Sequence, residues 1–170
     1  MPLSITEARH EIKILRMIIE ASRAFITKHL FRPANEDDPL AEEGGEEVAV
    51  KQQLGTVAAM EDQIITLRRA VVTACNKTEL SVGDQTNSIA GWEFWRREIA
   101  PKRLAHAREM ASRLQGPSNA LGDGIVFNIS EEYAVDLMNE LEQRLCLLDG
   151  QLAVANATTF IEVAEATSET

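Results

Sequence analysis

Apolar residues recur along this chain in four long runs at helical spacing, separated by stretches rich in acid, glycine or proline. In the first run Ile5, Ala8, Ile12, Leu15, Ile19, Ser22 and Ile26 alternate between steps of three and four, which lines them up on one helical face. Ile14, Met17, Ile18, Ala21 and Phe25 widen that face to the breadth of a bundle core. Ser4-Ile5-Thr6-Glu7 has the form of a capping box, in which hydroxyl and carboxylate each satisfy one orphan amide, so a helix starts here and Pro33 ends it near Phe31.

Within the connector 32–47, residues 34–47 hold seven carboxylates and no Lys or Arg, with Pro39 and Gly44-Gly45 as breakers. That composition reads as a solvated linker. A second helix runs from about Val48, and its seam has a seven-residue period: Val50, Val57, Ile64 and Val71, with Met60, Leu67 and Ala74 offset by three. Such a seam is coiled-coil-like and predicts a long antiparallel hairpin over 4–76.

The second half follows the same plan. Ser88 caps a third helix through Trp92, Trp95 and Ile99, and Pro101 either kinks it or opens a fresh segment through Leu104, Ala107 and Leu114, closed by Gly116-Pro117. Alternation at 125–129 predicts a strand, and Ser130 ahead of Glu131 and Glu132 opens a fourth helix with Met138, Leu141, Leu145, Leu148, Leu152 and Ala155 in register. The second hairpin covers 88–156. Both hairpins close on Asn-x-Thr, so Asn76 and Asn156 are assigned as left-handed helix C-caps that hand over to short strands. The expected fold is mainly α: one domain, 1–170, of two long antiparallel hairpins, with a small sheet of strands near 78–82, 125–129 and 159–163.

Composition agrees with helices. Of 170 residues 45% are hydrophobic but only 5% aromatic, so the core draws on Ile, Leu, Val, Ala and Met. The segment LRRAVVTACNKTELSVGDQTNSIAGWEFWRRE resembles the central signature of the septicolysin-like family of small bacterial and phage-associated helical proteins, through Asn76, Thr78, Gly83, Ser88, Arg96, Arg97 and Glu98. The likeness extends loosely to the IVFNI and ANATTFIE segments. It implies a long helical-hairpin architecture without established catalytic residues. Trp92 and Trp95, where the family has smaller residues, and Pro101 depart from its pattern.

Candidate chemistry is sparse. Glu7 and His10 have the spacing of half a di-iron motif, but His29 and His106 lack an acid three residues upstream, so capping accounts for Glu7. Glu43, Glu46, Glu61 and Asp62 resemble the acidic helices of all-α nucleotide hydrolases; Gly44-Gly45 would break such a helix, and a metal-dependent hydrolase stands as the alternative reading. Glu132, Asp136 and Glu140 share a face and repel one another unless a cation faces them. No catalytic residue, cofactor or metal ligand is assigned. Cys75 and Cys146, both within apolar helical runs, are expected as buried, reduced thiols.

Charge is more informative. Residues 96–113 carry six Lys or Arg against two acids, whereas 131–170 carry one Arg against nine acids, in a chain of net charge −10. The third and fourth helices should therefore lie side by side. The overall acidity disfavours nucleic acid as a partner. WEFWRRE holds three of the eight aromatics, and a helix cannot turn Phe94 to the face shared by Trp92 and Trp95. Trp92, Phe94, Trp95, Arg96 and Arg97 are assigned as a contact surface for a second copy or another protein of an assembly. The function expected is that of a non-enzymatic scaffolding protein, a homo-oligomer of the cytoplasm or of a phage virion. A membrane-active role, suggested by the family label, has no support in the residues, and no export signal or membrane span is expected.

Overall fold

The computed structural model describes residues 2–33, 35–115 and 128–163. The protein is mainly helical, with two small antiparallel sheets of two strands each. Where chain length favours one domain, the contacts divide it into two compact units, Met1–Ala74 with Thr159–Thr170, and Cys75–Thr158. The divisions fall at the ends of the second and last long helices, close to the hairpin limits the sequence predicts.

The first unit opens with β1 (Leu3–Ser4) and α1 (Ile5–Lys28). The capping box forms: the Glu7 amide donates to Ser4 Oγ (3.2 Å), and Glu7 Oε2 accepts from the Ser4 amide (2.8 Å). The buried face of α1 is Ile5, Ala8, Ile12, Leu15, Ile19 and Ser22, as its spacing dictates. After a short 3-10 turn (Ala41–Glu43), Gly44 and Gly45 take φ of 97° and 92° and deliver the chain into α2 (Glu46–Lys77). Only glycine adopts that conformation without strain. On α2 the seven-residue seam turns inward at Val57, Leu67 and Val71. The polar pairs Glu11–Gln63, Arg23–Glu61 and His29–Glu46 join the helices; positions descend along α2 as they rise along α1, the signature of an antiparallel hairpin. β4 (Phe160–Ile161) pairs with β1, Leu3 opposite Ile161, and the Ile5 amide donates to the Thr159 carbonyl.

The second unit opens on a β-hairpin, β2 (Glu79–Val82) and β3 (Gln85–Ser88), closed by the two-residue loop Gly83-Asp84. Gly83 has φ 62°, as a type II′ turn requires of its first central residue. Ser88 then caps α3 (Ile89–Phe94), accepting from the Gly91 amide at 3.0 Å. The helix neither breaks nor restarts at Pro101. It widens into a π turn (Trp95–Ile99), in which the Ala100 amide reaches the Trp95 carbonyl five residues back, and continues as α4 (Ala100–Gln115). A proline ring collides with the carbonyl four residues earlier, here that of Arg97; the wider turn displaces it. α5 (Glu131–Thr158) starts where expected, its Tyr133 amide donating to Ser130 Oγ, and buries Ala134, Leu141, Leu148 and Leu152. Arg96–Asp149, Arg108–Glu142 and Gln115–Glu131 lay basic α4 along acidic α5 in antiparallel order.

Two expectations are corrected, and a third falls largely outside the described residues. Asn76 and Asn156 are not left-handed caps: α2 and α5 run past them to Lys77 and Thr158, and no non-glycine residue described has positive φ. Each helix leads directly into an extended segment whose hydrogen bonds a strand partner supplies, so no reversing cap is needed. The strands near 78–82 and 159–163 exist but pair with Gln85–Ser88 and Leu3–Ser4 rather than with each other. Of the 125–129 segment, 125–127 lie outside the described residues, and Asn128 and Ile129 form a bend.

Candidate functional site

Trp92 is the anchor of the second unit. It is buried, and its Nε1–H donates to the Leu80 carbonyl at 2.7 Å, which ties α3 to β2. The Trp95 ring meets it edge-on, centroids 5.9 Å apart at 86°, a geometry that sets positive edge against negative face. Arg144 of α5 places its guanidinium 5.5 Å from the Trp92 centroid and 5.4 Å from that of Trp95, and also bonds to Gln85. Its Nε is buried without a hydrogen-bond partner, so stacking on two indoles holds this arginine, rather than a carboxylate.

The WEFWRRE surface is therefore divided. Trp92 belongs to the interior of its own unit, which corrects its assignment as a contact residue, while Trp95 is half-buried against it. Arg96 pairs with Asp149 and Arg97 with Glu98. Phe94 alone of the three rings is exposed, 53% of it open, as the helical spacing requires. Arg144 was invisible to pattern reading, since a lone cation in an acidic helix carries no mark of the rings it covers.

At the turn of the first hairpin an ionic cluster forms that the sequence reading took for solvated linker. Glu46 is buried at the start of α2 and accepts from His29 Nδ1 (2.7 Å) and Arg32 (3.2 Å). Asp38 accepts from the amides of Leu40 and Glu46 and pairs with Arg32 at 3.0 Å. The bond from His29 holds the Glu46 carboxyl below its ordinary range, and the two amide bonds do the same for Asp38; the Glu46 contact raises Arg32. A histidine and an arginine immediately upstream of the acidic run, at 29 and 32, are the signal the sequence offers.

The carboxylates of the hydrolase alternative are thereby engaged or dispersed. Glu46 faces His29 and Arg32 and Glu61 faces Arg23, while nothing is described of the Glu43 side chain. Among the described residues no three His, Cys, Asp or Glu side chains gather as a metal site would require. His10, His106, Glu132, Asp136 and Glu140 are exposed, and Cys146 is exposed where burial was expected; Cys75 is buried. Among the described residues no helix is long and apolar enough to cross a membrane.

What remains is apolar surface. Ile14, Met17 and Ile18 of α1 are 43%, 64% and 41% exposed, and Ala21 beside them is open. At about 100° per residue Ile14 lies roughly 200° round from Ile12, so these residues do not widen the buried face: they form a second one behind it. On α2, Leu54, Ile65 and Val72 are also exposed and fall on one face, away from the Val57–Leu67–Val71 seam. Each helix of the first hairpin thus has two apolar faces and one partner helix.

No protein-family model, curated protein or solved structure matches the chain. The septicolysin-like resemblance accordingly rests on the residues that carry it.

Proposed function

We propose that this chain is a non-enzymatic association protein, a helical component that binds further helices of its own copies or of other proteins in a larger assembly. The observation that carries this reading is the second apolar face on each helix of the first hairpin, with Ile14, Met17 and Ile18 on α1 and Leu54, Ile65 and Val72 on α2 open to solvent. A helix with one apolar face is satisfied by one partner, and a second apolar face leaves a surface on which a further partner can pack. Burial of each Ile, Leu or Met side chain in a contact contributes about 1.5–3 kcal/mol before the cost of association, enough for micromolar pairing from a few residues.

The acidic net charge of −10 supports a protein partner over nucleic acid, and the exposed Phe94 offers a further contact in the second unit. A scaffolding role in the cytoplasm or in a phage particle is the setting the family resemblance suggests. Sedimentation velocity from about 1 to about 100 μM tests the reading. The expected result is an average mass rising above the 18.8 kDa of one chain. A species that stays monomeric at every concentration, captures no partner protein, and hydrolyses a nucleotide with magnesium overturns it in favour of the hydrolase.

A further inference from the structure

The uncovered face of α1 is self-complementary, and this inference rests on the association reading above. Along it Glu7, His10, Ile14, Met17, Ile18, Ala21, Phe25 and Lys28 follow one another at steps of 3, 4, 3, 1, 3, 4 and 3, a palindrome, with an acid at one end and a base at the other. We infer that α1 of one copy packs antiparallel on α1 of a second, about a two-fold axis between Met17 and Ile18. In that register Met17 meets Ile18 of the second copy, Ile14 meets Ala21, His10 meets Phe25, and Glu7 meets Lys28.

Charge decides the direction. A parallel pair sets Glu7 against Glu7 and Lys28 against Lys28 at the two ends of a seam about 30 Å long, whereas the antiparallel pair makes an ion pair at each end. It also opposes the two helix dipoles. Beside the seam Glu11 faces Ala24, so no like charges meet. Glu7 is already oriented: Ser4 holds its Oε2, which leaves Oε1 for the incoming ammonium. The small Ala21 opposite Ile14 admits close approach of the backbones, and a two-fold contact of this kind closes on itself as a dimer.

Two experiments on the full chain test this. In sedimentation equilibrium Met17→Glu, at a position 64% exposed, is expected to weaken dimerisation about 30-fold or more while the circular dichroism is unchanged. In a Cys146→Ser background, mixing Ile14→Cys chains with Ala21→Cys chains under mild oxidation is expected to cross-link them to each other, and neither variant to itself. Two Ile14→Cys sites in this register lie about 10 Å apart along the axis, beyond disulfide reach. A wild-type dimer indifferent to Met17→Glu overturns the face and leaves the association reading standing. A wild-type chain that never self-associates overturns this inference and leaves only other proteins as partners. Self-linked Ile14→Cys, or no cross-link in the mixture, overturns the antiparallel register.

Discussion

Glu46 enters α2 with its carboxylate between His29 and Arg32, and the side chains of His29 and Glu46 remain only 9% and 10% exposed. A carboxylate buried against an imidazole N–H and a guanidinium is stable there only while ionised. Asp38 and Glu46 both titrate below their ordinary values of 3.8 and 4.5, so the folded protein binds fewer protons than the unfolded chain in that range. Their contribution is complete above the ordinary carboxylate values and is lost as pH falls through the lowered ones. Thermal melts are expected to show a steady midpoint from about pH 5 to 7 and a steep fall below about pH 4. Glu46→Gln should lower the neutral midpoint and flatten the acid limb, and an unchanged acid limb would show that other groups set it. The acidic stretch by itself does not mark this cluster, because His29 and Arg32 precede the run.

At the scale of elements, the junction of α3 with the β2–β3 hairpin turns on Trp92. Trp92→Ala removes the indole, its hydrogen bond to Leu80 and the surface on which Arg144 stacks, and is expected to cost about 3–5 kcal/mol in denaturant unfolding. Trp92→Phe, which keeps most of the apolar volume, should cost about 1 kcal/mol for the lost hydrogen bond together with a smaller packing loss. Equal losses for the two would mean that packing contributes little. The starts of helices were legible residue by residue, at Ser4, Ser88 and Ser130, since a cap is a local contract between a side chain and the next few amides. The ends were not. Asn-x-Thr predicts a left-handed stop, yet each helix passes straight into an extended segment that pairs with a strand at Gln85–Ser88 or Leu3–Ser4. The Gly83-Asp84 pair between two polar, β-branched stretches is the local signal for β3.

For the molecule as a whole, charge is segregated and then paired. The basic stretch 96–113 lies along α5, where Arg96 and Arg108 meet Asp149 and Glu142, which leaves Lys102 and Arg103 as exposed cations in a chain of net charge −10. Fluorescence anisotropy with a labelled single-stranded oligonucleotide at about 0.1 M salt is expected to detect no binding; submicromolar binding would show that α4 offers its cations outward. The sequence by itself determined the four helical runs, their antiparallel order, three of their N-terminal caps and which face of each meets a neighbour first, because periodicity, capping and charge order act over a few residues. Only the tertiary structure decided which strands pair, how the π turn absorbs Pro101, where Arg144 rests and which apolar stripes stay uncovered. Those depend on residues distant in the chain arriving together, and a pattern of spacing records that a face is apolar without recording what covers it.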